Sequence, residues 1–181
     1  MQPRLQYPAE LLLKAQGIRV AFFDVDGVLT DGGLYFSADG ESMKRFHVLD
    51  GHGISLLRAA GIVPVVITGR DSPAVRLRLH ALGLGEVHCG VQDKAQRAAA
   101  RLEFLRADWS QAAVIGDDWP DLALIRRCRL SAAPPGAHAE VLAAVDIVTP
   151  HGGGQGAARD FCDLLLMASG RYAQYLQDAC A

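Results

Sequence analysis

No apolar run in this chain approaches the ~20 residues that a membrane-spanning helix needs. The longest, Ile62 to Ile67 and Val141 to Val148, are short, and Asp146 interrupts the second. Near the N-terminus only Leu11-Leu12-Leu13 precedes Lys14, too little for the apolar stretch of a secretory signal. A cytoplasmic protein with no membrane partner is expected. An excess of one charge is lacking as well. With 18 basic and 20 acidic residues the formal net charge is −2, so no overall field draws the chain to nucleic acid or an anionic surface. The expected partners are small molecules. Cysteine is sparse and irregular: Cys89, Cys128, Cys162 and Cys180 form neither a zinc pattern nor a redox pair, and read as reduced thiols packed as small apolar groups. The six histidines show no metal-binding pairing at helical spacing, so nothing indicates zinc. Repeats, low-complexity tracts and long linkers are missing too, and Gly152-Gly153-Gly154 is the one local flexible point.

What is present is an apolar fraction of 50% in 181 residues, enough to build the core of one domain spanning 1–181. Short β-rich apolar runs occur at Ile18 to Phe23, Val63 to Thr68, Ala112 to Ile115 and Val145 to Val148. Between them, helical spacing covers Ile54 to Ala60, Ser72 to Leu82, Lys94 to Leu105, Pro120 to Cys128 and Gly136 to Ala144, with a last helix from about Gly156 to Ala168. Ser72-Pro73 reads as a serine N-cap with proline in the first turn, and Gly83 as the stop of that helix. This alternation implies an α/β fold, a Rossmann-like parallel sheet with helices on both faces. One segment breaks the rhythm: Leu34 to Phe36 and Lys44 to His47, around Ala38-Asp39-Gly40, suggest a β-hairpin.

Ligands of such sheets gather beyond the carboxyl ends of the strands. The polar residues that follow the apolar runs form a set: Asp24-Val25-Asp26-Gly27, then Thr68-Gly69-Arg70, then Gly116-Asp117-Asp118, with Lys94 opening the helix before the last. Asp24, Asp26 and Asp117 at one sheet edge call for a cation, and an all-oxygen set of this kind suits magnesium. Asp24 and Asp26 point to opposite faces unless the chain turns between them, and Gly27 can supply that turn. Asp24 could then attack phosphorus while Asp26 transfers protons. Thr68 and Lys94 are suited to neutralising phosphoryl oxygens. Taken singly they read as a strand-end threonine and a solvated lysine, and their joint placement is what favours chemistry.

These segments resemble the four motifs of the haloacid dehalogenase superfamily of phosphatases, here DVDGVLT, ITGR, a lone lysine and GDDWPD, in that order. The resemblance implies Asp24 as nucleophile, Asp26 as general acid and base, Lys94 as the charge partner of Asp24, and magnesium held by Asp24, Asp117 and the backbone carbonyl of Asp26. It implies Thr68 as the phosphate-binding hydroxyl, with Asp118 and Asp121 behind the metal or on its waters; Gly27, Gly69 and Arg70, beside these residues, are further substrate-binding candidates. Asp121 is equally readable as an ordinary helix residue near Pro120. Neither interval between the motifs has room for a separate cap domain.

KRFHVLDGHGI (Lys44 to Ile54) and GGGQGAARDFCDLLL (Gly152 to Leu166) narrow the resemblance to the capless 3-deoxy-D-manno-octulosonate 8-phosphate phosphatases. It covers roughly Val20 to Ala168 and implies a homotetramer in which a neighbour's hairpin and C-terminal segment help cover each site. Leu49 and Gln155 stand where that subgroup usually has arginine, which leaves Arg70 and Arg78 as basic candidates for the substrate and His47 and His52 as possible pocket residues. Another acidic sugar phosphate, such as a nonulosonate 9-phosphate, is the alternative substrate. Two non-enzymatic readings compete. A receiver domain would need a lasting phosphoaspartate, against which Asp26 argues. A silent oligomerisation module would have no physical reason to keep clustered carboxylates.

Overall fold

The computed structural model describes residues 3–180. In chain order, α1 (Ala9–Ala15) leads into β1 (Val20–Phe23), followed by a hairpin of β2 (Tyr35–Ser37) and β3 (Gly40–Met43). Then come α2 (Val48–Ala59), β4 (Val63–Ile67), α3 (Pro73–Ala81), β5 (Val87–His88), α4 (Lys94–Phe104) and β6 (Ala112–Ile115). The chain finishes with α5 (Leu122–Ile125), β7 (Leu130–Ala133), α6 (Ala139–Leu142), β8 (Ile147–Val148), α7 (Ala157–Ala168) and α8 (Tyr172–Asp178).

Strand β1 is apolar and buried at every position, as a strand covered on both faces must be. It lies inside a six-stranded sheet of order β5-β4-β1-β6-β7-β8 in which every pairing is parallel. After β1 the chain builds outward on one side through β4, then crosses to the other side at β6. The carboxyl end of β1 is therefore the point where the strand order reverses, and a crevice opens there. Successive side chains alternate between the two faces. Phe23 packs edge-on against Phe161 of α7 with ring centroids 5.5 Å apart, among residues of α1, α2 and α3. Phe22 faces the opposite layer of α4, α5 and α6 and meets Trp109 at 6.5 Å.

The α/β reading holds, with differences in detail. Leu130–Ala133 is an inner strand although Ser and Ala have little β propensity. Complete burial between β6 and β8 overrides that local preference. Helix α2 starts already at Val48, well before Ile54, despite Gly51 and Gly53. Those glycines weaken a helix in isolation but allow close packing here. A Cβ on Gly53 would fall 2.9 Å from Arg159 Cδ and 3.0 Å from Cys162 Cβ on α7. Asp50, buried on the same helix, accepts the free Arg159 N–H in the first turn of α7 at 2.8 Å, so a neighbouring helix caps α7.

The hairpin is real, but its second strand is Gly40–Met43 rather than Lys44 to His47, because the turn is tighter and Gly40 already pairs with Ser37. Only Phe46 of the expected segment bridges, to Thr30. The Pro120 to Cys128 and Gly136 to Ala144 segments hold the short helices α5 and α6, the first preceded by a 3-10 turn at Trp119–Asp121. Ser72 does sit at the N-cap of α3, yet its hydroxyl makes no capping bond; it donates instead to Glu41 Oε1 of β3 at 2.6 Å. The four cysteines are free. Among the described residues no helix is long and apolar enough to cross a membrane.

Candidate active site

Right after β1 the Val25 carbonyl accepts the N–H groups of Leu29 at 2.9 Å and Thr30 at 3.0 Å, which folds Asp24 to Thr30 into a tight loop. Gly27 adopts φ +84°, open to glycine at little cost, and a Cβ there would lie 2.0 Å from Asp117 Oδ2. The turn thus lets β1 and β6 deliver their acidic residues to one place. Behind the loop runs the glycine-rich stretch. Gly154 N–H donates to Val28 O at 2.9 Å, and a Cβ on Gly153 would lie 1.8 Å from Gly27 O. Gly153→Ala is expected to push the loop forward, costing about 1–3 kcal/mol in urea denaturation together with most of the activity. Unchanged stability would show that the stretch does not support the loop.

The loop, the β4 end and the β6 end enclose a cavity of about 420 Å³. Asp24, Asp26 and Gly27 line it from β1, Thr68, Gly69 and Arg70 from β4, Lys94 from α4, and Asp117, Asp118 and Asp121 from beyond β6. Arg78 is not among the lining residues: it lies farther along α3, where its guanidinium covers Gly51 of α2. His47 does not line the cavity either, and His52 faces a separate one between α2, α7 and α8. Leu49 and Gln155, at the two arginine positions, are exposed and outside it.

Lys94 sits at the centre. Its side chain is 5% exposed, and Nζ lies 2.8 Å from both Asp24 Oδ1 and Asp121 Oδ1. Burial alone would lower its pKa, but the two carboxylates outweigh that and raise it. Asp121 is no solvated helix residue. It is 2% exposed, and its second oxygen accepts the N–H groups of Asp117 at 3.2 Å and Asp118 at 3.4 Å. Gly116 makes room for it, since a Cβ there would lie 2.5 Å from Asp121 Cβ.

The site is over-supplied with negative charge. Burial, then repulsion from Asp121, raises Asp24 to about 6 in spite of Lys94. Burial, then repulsion from Asp24 and Asp121, pushes Asp117 up to about 8. Asp24, Asp117 and Asp121 each place an oxygen within 4.8 Å of the others. Asp121 is already engaged by Lys94 and two amides, which leaves Asp24 and Asp117 with oxygens free for a cation. An all-carboxylate set suits a hard ion of the magnesium type rather than zinc.

Lys44 was not legible as a site residue. It follows β3, its side chain is fully enclosed, and it places Nζ 2.5 Å from Asp26 Oδ1. Its signal was hidden because the hairpin's register, which brings it back to β1, is not written in the motif spacing.

Acidic residues and a buried lysine gathered where the strand order of a parallel sheet reverses are the arrangement of a phosphatase of the haloacid dehalogenase superfamily. Comparison with known proteins narrows this. The chain is 38% identical over 163 residues to the 3-deoxy-D-manno-octulosonate 8-phosphate phosphatase KdsC of Escherichia coli K12, covering 90% of this chain and 87% of that one. Among solved structures, the corresponding phosphatase of Moraxella catarrhalis, in complex with magnesium ion, phosphate ion and a KDO molecule, superposes with TM-score 0.91 at 33% identity. That match covers 95% of this chain and 99% of the other. The enzyme from Yersinia pestis gives TM-score 0.88 at 36% identity over 91% of this chain and 89% of its own. No protein-family model matches the chain. The chain belongs to the 3-deoxy-D-manno-octulosonate 8-phosphate phosphatase family.

Proposed function

We propose that the chain hydrolyses 3-deoxy-D-manno-octulosonate 8-phosphate to the free sugar acid and inorganic phosphate. The observation that carries this is the buried Asp24, held 2.8 Å from Lys94 in a cavity that Asp26 and Thr68 share. The magnesium, phosphate and KDO of the Moraxella relative supply the substrate class. Asp24 attacks phosphorus in line, and the sugar alkoxide leaves with a proton from Asp26. Asp26 then takes a proton from water, which attacks the aspartyl phosphate, releases phosphate and restores Asp24. Thr68 and the Gly69 segment hold the non-bridging oxygens, Gly27 lets the loop approach them, and Lys94 balances the charge around the attacking carboxylate. Magnesium, held by Asp24, Asp117 and the Asp26 carbonyl with Asp118 and Asp121 behind, would neutralise phosphoryl charge when bound. Arg70 lines the cavity and is half exposed at its rim, which supports its assignment as the basic group that meets the substrate's carboxylate.

Two measurements test this reading. Magnesium at about a hundred times its dissociation constant should stabilise the protein by about 2.7 kcal/mol, read as a rise in Tm, and Asp117→Asn should abolish the rise. An unchanged Tm in wild type would remove the metal from the account. A panel of sugar phosphates assayed with magnesium should place the eight-carbon 3-deoxy-2-keto acid first. Preference for a nonulosonate 9-phosphate would move the assignment to that sugar, and preference for ordinary aldose phosphates would reject an acidic substrate.

Among the described residues the site has no cap of its own. The hairpin instead presents Leu34, Tyr35, Phe36 and Met43 to solvent, with Phe36 64% exposed. The exposed hairpin supports self-association in which neighbouring copies cover one another's hairpins; we take the number of copies, four, from the family resemblance, and assign the protein to the cytoplasm. A light-scattering mass of a single 19.4 kDa chain would reject that assembly.

A further inference from the structure

A lysine with no solvent exposure is costly to bury unless carboxylates surround it. Lys44 meets that condition. Its Nζ lies 2.5 Å from Asp26 Oδ1 and 3.3 Å from Glu41 Oε2, and its side chain is 0% exposed. Glu41 is itself tied to the phosphate-binding side of the cavity: it accepts the Ser72 hydroxyl at 2.6 Å and Arg70 Nη2 at 3.2 Å. Hairpin residues thus grip two catalytic loops at once, the one after β1 through Asp26 and the one after β4 through Arg70 and Ser72.

The direction of the grip matters. Asp26 lines the cavity while Lys44 does not, so Lys44 holds Asp26 from behind. With Oδ1 occupied by the ammonium, Oδ2 is left on the side of Arg70, whose Nε lies 3.7 Å away at the cavity wall. A carboxylate that must give a proton to a leaving oxygen works only within hydrogen-bond reach and in the right orientation. A short, flexible aspartate on a loop has little else to fix its torsions.

We infer that Lys44 is a positioning residue for the reaction: it fixes which oxygen of Asp26 faces the scissile ester, and so makes proton transfer depend on the hairpin being seated. The inference rests on the reading of Asp26 as general acid. It predicts a loss that depends on the leaving group. A sugar alkoxide needs a proton to depart, whereas p-nitrophenolate leaves well without one. A purely structural lysine would affect both esters alike.

The test compares kcat/KM, which reports the steps through phosphoryl transfer to Asp24, for 3-deoxy-D-manno-octulosonate 8-phosphate and p-nitrophenyl phosphate in the magnesium-loaded enzyme. Lys44→Met should lower the value for the sugar ester by about a hundredfold and that for the aryl ester no more than a few fold, general acid catalysis being worth ~10²–10⁴. Lys44→Arg, which keeps charge and donors, should recover a substantial part of the loss. Asp26→Asn is the benchmark and should show the same bias more strongly. Lys44→Gln, shorter and uncharged but still a donor, serves as the second variant if the methionine variant does not fold, and the same bias is expected. Equal losses on both esters, or no loss, in the folded Lys44 variants while Asp26→Asn keeps its bias would overturn the inference alone. Absence of bias in Asp26→Asn would instead bring down the assignment of Asp26.

Discussion

Asp24→Asn is expected to lower phosphate release from the sugar ester by at least about a thousandfold while leaving the chain folded, as judged by circular dichroism and a cooperative unfolding transition. The substitution keeps the shape of the side chain and removes only its nucleophilic charge. Positioning and charge neutralisation by Thr68 and Lys94 would remain, so some residual rate is compatible with the account. The buried carboxylate is also poorly accommodated: burial and Asp121 already raise its pKa to about 6. Removing its charge therefore should not unfold the protein. A variant with near wild-type turnover would mean that another group, or water directly, attacks phosphorus.

Lys94→Met has the largest expected effect on stability. Methionine fills nearly the same volume but leaves Asp24 and Asp121 facing each other, both buried, with the ammonium that lay 2.8 Å from each removed. Breaking a buried ion pair by deleting one partner costs about 3–5 kcal/mol, a large part of the stability of an ordinary domain. Urea denaturation of the metal-free protein should show that loss. Adding Asp24→Asn to Lys94→Met should return part of it, since one of the two uncompensated charges goes with it. A loss below about 1 kcal/mol would show that water reaches the lysine site and that the triad is not a dry cluster.

Much of the site could be read before the fold was seen, because its residues sit where strand runs stop. Asp24, Thr68 and Asp117 follow apolar runs, and a parallel sheet delivers such positions to one edge whatever the lengths of the helices. The pairing of Lys94 with Asp121 needed the fold: it is a distance across two elements, and nothing in Pro120-Asp121 distinguishes a buried carboxylate from a solvated one. Arg78 lies within the expected helix, but Arg70 precedes that helix, and α3 carries Arg78 over Gly51 and away from this cavity. Lys44 and Glu41 were out of reach, since their roles depend on the register of an exposed hairpin in which one residue of slip changes every partner. Strand β7 was missed for an energetic reason: four residues of Leu, Ser and Ala become a strand only because the sheet has a slot for them.

The double displacement through Asp24 is most directly tested by the stereochemical course at phosphorus, using a phosphorothioate analogue of the substrate made chiral at phosphorus by sulfur and oxygen isotopes and hydrolysed in isotopically labelled water. Two in-line steps, first by Asp24 and then by water, predict inorganic thiophosphate released with net retention of configuration. Net inversion would mean a single attack by water and would contradict the account, however complete the acidic cluster around it.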